Sequence, residues 1–156
     1  MVMKHSNVQI LILRLVLGVL FLFAGAGKVS DGWLTNEQPL QKSLDGYHQR
    51  AAGIQLTYLD NVALPHTALW AKLMAIGETA VGISLLLGLL TRFSSLVGLF
   101  MVFNFHAANG NLFSLNFFQS AWAALIVASF LIVYLAKGGH WFGLDAILAE
   151  RNFKWI

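Results

Sequence analysis

The stretch Val8-Gln-Ile-Leu-Ile-Leu-Arg14-Leu-Val-Leu-Gly18-Val-Leu-Phe-Leu-Phe-Ala-Gly25-Ala-Gly27 decides the fold. Gln9 and Arg14 are its only strongly polar members. A helix needs about 20 residues to cross about 30 Å of hydrocarbon, and this run meets that length. It has no apolar/polar alternation, and an open sheet would leave unpaired backbone groups in lipid, so a strand is a poor alternative. Lys4 ahead of the run and the small residues Ala24 to Gly27 also suit a cleaved signal peptide. The interruption by Arg14 and the length of the run instead predict a retained first helix.

Three further apolar stretches follow: Leu69–Leu90 with Lys72 and Glu78, Phe93–Ala108 with Asn104 and His106, and Phe117–Ala136. The third is the shortest and borrows Thr91 and Arg92, or the following Asn-Gly segment, to reach crossing length. The whole chain agrees. Of its residues 58% are hydrophobic and 11% charged, with a mean hydropathy of +0.69. A soluble domain carries about 25% charged residues, and one core this small cannot hide so much apolar surface. The expected architecture is all-α: one domain over 1–156, an integral membrane four-helix bundle with spans near 8–29, 67–90, 92–108 and 117–137.

Basic residues give the orientation. Lys4, Arg92, Lys137, Arg151 and Lys154 fall on one face of this arrangement, which the positive-inside rule makes cytoplasmic. Both termini are then cytoplasmic, and the long segment 30–66 is an outer loop insert. Within it, Pro39 starts a short helix with Leu40, Leu44 and Tyr47 on one face. That helix is either a lid on the outer mouth of the bundle or a partner-docking surface. Trp33, Tyr58 and Trp70 suit the interfacial aromatic belt. The tail reads as a C-terminal interfacial helix, with Leu144, Ile147 and Leu148 on its apolar stripe and Asp145, Glu150 and Arg151 elsewhere. Trp155 and Lys154 suit the headgroup region, and Gly138 and Gly139 end the fourth span.

Several chemistries drop out. The net charge of +3 is small and dispersed, which excludes nucleic acid as a partner. The absence of cysteine removes disulfides, iron–sulfur ligation and thiol relays. Haem held between spans needs two intramembrane histidines, and only His106 qualifies; His5, His48, His66 and His140 fall outside the spans. No ligand spacing suggests a metal, and no nucleotide fingerprint or nucleophile elbow is present. A solute carrier is disfavoured because both prolines lie in the outer segment rather than breaking a span. Packing between spans is expected at small residues: Ala71, Ala75 and Thr79 on span two, Ser120, Ala124 and Ala128 on span four, and Gly18, Gly25 and Gly82.

Ionisable groups inside a bilayer cost roughly 2.5–3.5 kcal/mol each, so they face the bundle and find partners. Lys28 lies at the outer end of span one and leans inward, whereas Glu78 on span two leans outward, so the two converge. Arg14 leans toward the cytoplasmic headgroups and is expected to snorkel there, which favours Lys28–Glu78 over Arg14–Glu78. Asn104 and His106 rise to nearly the same depth on span three. Lys28, Glu78, Asn104 and His106 therefore form the candidate site. One reading is an ion pair and a helix-end histidine that fix register. The other is a cavity for a polar-headed, apolar-bodied ligand such as a quinone, with proton-exchanging groups at one end. Its apolar walls are then expected from Phe100, Phe103, Phe105, Phe113, Phe117 and Phe118.

These residues also carry a resemblance. Arg14-Leu-Val-Leu-Gly18 followed by Gly25-Ala-Gly-Lys28 resembles the first span of the DoxX family. Glu78-Thr-Ala-Val-Gly82, running to Gly88-Leu-Leu-Thr91-Arg92, resembles its second span and turn, and Gly138-Gly-His-Trp-Phe-Gly143-Leu-Asp145 its closing motif. The outer insert with Gly32-Trp33 looks like the DoxD branch, the small membrane subunit of thiosulfate:quinone oxidoreductase. The resemblance implies a bacterial or archaeal cytoplasmic membrane, a quinone as cofactor and a partner redox subunit. Other members look like non-catalytic scaffolds or stress-response proteins, which is the alternative reading.

Overall fold

In lipid the backbone must satisfy its own hydrogen bonds, so long apolar runs free of proline become helices. The computed structural model describes residues 3–113 and 121–149, with side chains from Val8 onward, and among these residues every regular element is helical. In chain order they are α1 (Met3–Ser30), α2 (Gln38–His48), α3 (Gly53–Tyr58), α4 (Thr67–Leu87), α5 (Thr91–Ala108), α6 (Ala121–Leu135) and α7 (Leu144–Ala149). α1 from Val8 and the run Gly53–Leu87 are long and apolar enough to cross a membrane. α5 has 18 residues and α6 is an apolar helix of 15. The expected opening of the fourth span at 117–120, and the tail residues Glu150, Arg151, Lys154 and Trp155, lie outside the described residues.

The outer segment is more helical than the sequence suggests. α3 continues through a π turn (Leu59–Ala63) and a 3-10 turn (Leu64–His66) into α4. Pro65 has no N–H to donate, so the chain changes helical pitch there instead of breaking. α4 ends at Leu87, earlier than the expected Leu90, because Gly88 adopts a left-handed φ of +64°. Gly88 N–H then bonds Leu85 C=O and Leu89 N–H bonds Ser84 C=O, a Schellman stop. α5 does begin at Thr91.

α1 packs along α4, α4 against α5, α5 against α6 and α6 against α1. Leu17, Val81, Leu85, Leu99, Phe130 and Val133 form the core between them. On α4 the expected stripe is in place, with Ala71 and Ala75 fully buried. On α6 it is not: Ala123, Phe130 and Val133 face inward and Ala128 is exposed. The aromatic Phe130 outbids small residues there because Gly98 of α5 leaves a hollow that its ring fills.

Three expectations fail at the end of the bundle that carries Arg92. Arg14 does not snorkel; it is 1% exposed. Its guanidinium donates to the carbonyls of Gly138 (3.0 Å), Trp141 (3.1 Å) and Phe142 (3.2 Å), which the chain after α6 wraps around it. Asp145 is likewise 1% exposed rather than on a solvated face. Its carboxylate accepts from Leu90 N–H (2.6 Å), Thr91 N–H (2.9 Å) and the Thr91 hydroxyl (2.6 Å). It is thus a distant N-cap for α5, well placed for the positive end of that helix. Thr91 Oγ1 in turn accepts from Gly139 N–H at 3.0 Å. Gly138 and Gly139 do not end α6 through their own conformation; Lys137 takes the left-handed φ, and a Cβ on Gly139 would strike Asp145.

Asp145→Ala orphans two backbone donors and a hydroxyl, each costing about 1–3 kcal/mol when buried. It should lower the thermal unfolding midpoint in detergent sharply, and Asp145→Asn, which keeps one acceptor, should lower it less. An Ala variant with an unchanged midpoint would show that α5 does not depend on this cap.

Candidate functional site

The site begins with how closely two backbones approach. A Cβ on Gly25 would land on the backbone of Thr79, and one on Gly82 on the backbone of Leu22. α1 and α4 therefore touch without intervening side chains. Lys28 lies just beyond Gly25, and Glu78 precedes Thr79, so this contact sets the two charges side by side. Lys28 Nζ donates to Glu78 Oε2 at 2.5 Å, with the side chains 20% and 12% exposed. Lys28 Nζ also stands 5.4 Å from the centre of the Trp33 ring, a cation–π contact. The depth argument for this pairing agrees with the structure; Arg14 sits at the other end of α1.

Beside the pair opens a cavity of about 550 Å³, within the range of ligand sites. Lys28, Glu78, Asn104 and His106 all line it. His106 is buried near the end of α5, its ring edge-on to Phe105. Ser43, Asn109 and Asn111 also line it, and Phe21, Met74, Met101, Val102 and Ile126 are among its apolar walls.

α2 covers the cavity. Leu40 and Leu44 are buried and join Leu59, Ala63, Ala71 and Ala108 in a second core, with Trp33, Tyr47, Tyr58 and Trp70 packed on it. The apolar stripe of α2 is therefore spent on the bundle, which favours the lid over a docking surface. The helical insert is tied to the bundle once more and joined within itself. Gln55 Nε2 donates to Ala108 C=O at 3.0 Å, and His48 Nε2 lies 2.8 Å from Asp60 Oδ1.

The walls differ from the expected set. Of the six phenylalanines, only Phe105 lines the cavity among the described residues. Phe100, Phe103 and Phe113 are 58%, 37% and 44% exposed, on outward faces; Phe117 and Phe118 lie outside the described residues. Trp33 and Trp70 line the cavity with Tyr47 and Trp122. Sequence reasoning missed this role because α2 folds back over the bundle, and local periodicity does not encode that contact. One signal was present: Tyr47 shares a face with Leu40 and Leu44.

The DoxX family profile matches residues 9–110 of the chain. No curated protein and no solved structure matches it.

Removing one partner of a buried ion pair leaves the other unpaired and costs roughly 3–5 kcal/mol, while removing both is often nearly neutral. Lys28→Met should therefore destabilise the bundle toward the lower end of that range, since the pair is partly exposed. Lys28→Met with Glu78→Leu should restore most of the loss in thermal unfolding. A double variant no more stable than the single one would mean that the charges do more than compensate each other.

Proposed function

The chain belongs to the DoxX family, and from that premise we propose that it is a membrane subunit of an oxidoreductase whose cavity binds a quinone. The observation that carries this reading is that Lys28, Glu78, Asn104 and His106 line a single cavity together with apolar and aromatic side chains. The proposed setting is a four-span bundle of α1, α4, α5 and α6, with both termini cytoplasmic. Arg92 and Lys137 at the end opposite the cavity support that orientation. The cavity then faces outward.

A quinone, when bound, supplies a two-electron, two-proton acceptor. The residues present suit its headgroup. Lys28 offers an ammonium donor to a carbonyl oxygen, and Asn104 offers an amide. Glu78 and His106 can hold or release protons beside the ring. Trp33 and Tyr47 offer flat faces for stacking. Electrons reach the site from a partner redox subunit, as in a thiosulfate:quinone enzyme. A second reading also has an observation in its favour: the 2.5 Å Lys28–Glu78 contact already satisfies both charges, as a non-catalytic scaffold or stress-response protein would require.

Protein purified in mild detergent should release quinone on organic extraction. Glu78→Gln keeps the shape and removes the charge. Loss of one charge-assisted contact, worth about 1.5–3 kcal/mol, should cut bound quinone roughly tenfold or more, with a smaller loss of stability than Lys28→Met because the Gln amide oxygen still accepts from Lys28. Wild-type quinone content in a folded Glu78→Gln protein would remove Glu78 from the site. Wild-type protein that binds no quinone would favour the scaffold.

A further inference from the structure

We propose that the ligand of this cavity passes in and out sideways from the bilayer, through the seam between α1 and α6 at Trp122. The site would then take a molecule with a lipid-soluble tail in preference to a tail-less solute from water. The proposal rests on the quinone reading above and adds the path and the side chain that guards it.

The two helices run antiparallel, and their rings meet where Phe21 packs edge-on to Phe130, 4.9 Å between centres. Lys28 lies seven residues beyond Phe21 on α1, and Trp122 eight residues before Phe130 on α6. At about 1.5 Å per residue both stand roughly 10–12 Å above that contact, at one level. Phe21, Ile126 and Trp122 line the cavity along this interval. Trp122 is also 76% exposed, so it belongs at once to the cavity and to the outer surface of the bundle. The seam is apolar throughout, since neither Leu15–Gly27 nor Ala121–Leu135 contains a charged residue.

The polarity within the cavity agrees with this path. Its charged pair lies level with Trp122, and the apolar Phe21 and Ile126 lie deeper, so a polar head and an apolar tail each find their matching surface. The other route, under α2, is obstructed. Leu40 and Leu44 of that helix are buried against the bundle, and the His48–Asp60 contact joins its end to the helical run that leads into α4. Opening it would expose those buried leucines to water. A lateral path exposes neither.

The chain has no cysteine, so single sites can be modified selectively. In one variant, Trp122→Cys is labelled with a bulky apolar maleimide. In another, His48→Cys and Asp60→Cys are joined by a short thiol-reactive bridge that fixes the lid. Uptake of a benzoquinone with a decyl tail is followed in detergent for each, with the unlabelled variants as controls for folding. The label at position 122 should slow uptake roughly tenfold, while the bridged lid should stay within about twofold of its unbridged control. Slowing by the bridge, or none by the label, overturns the lateral path while leaving the quinone reading in place. An unmodified protein that takes up no quinone removes that reading, and this path with it.

Discussion

Lys28 and Glu78 meet because α1 and α4 come close enough for backbone to touch backbone. Between lipid-facing helices there is little hydrophobic drive, so association depends on packing at close range. Gly25 against Thr79 and Gly82 against Leu22 supply that range. A larger side chain at either glycine would push the helices apart and separate the charges with them. The same contact leaves the remaining space between α1, α4, α5 and α6 to be filled by other means. Toward Arg92 it is filled by Phe130 and the aliphatic core around it; toward α2 it stays open as the cavity.

The two polar assemblies of the bundle are therefore different in kind. Around Arg14 and Asp145 three carbonyls, two backbone donors and a hydroxyl surround the charges, both of them almost fully buried. Such a network joins the first helix, the α4–α5 turn and the chain after α6. Around Lys28 and Glu78 there is one short contact, a tryptophan face and open space. The first charges are enclosed by the chain's own polar groups, whereas the second pair borders a cavity.

Much of this was legible in the residues. The run from Val8 identified a membrane-crossing helix, Pro39 marked the start of the short outer helix, and helical rise with the lean of side chains brought Lys28 to Glu78 and set Asn104 and His106 near their depth. Those inferences use distances along one helix or levels across two. Arg14 and Asp145 were misjudged because their partners lie more than 50 residues away. A charged residue near a helix end looks the same whether it reaches water or a folded-back carbonyl. The cavity walls failed for a related reason: phenylalanines on α5 are apolar on every face, so composition does not say which of them point inward.

The sequence by itself thus determined that the chain is helical and apolar, where its long helices lie, and at what level its few charges sit, because length and periodicity follow from backbone hydrogen bonding within each segment. Only the tertiary structure decided which faces met. It turned α2 inward over the cavity, set Trp33 and Trp70 in the lining, and wrapped the segment after α6 around Arg14. Those outcomes depend on which surfaces fill each other's hollows, and that is a property of pairs of elements.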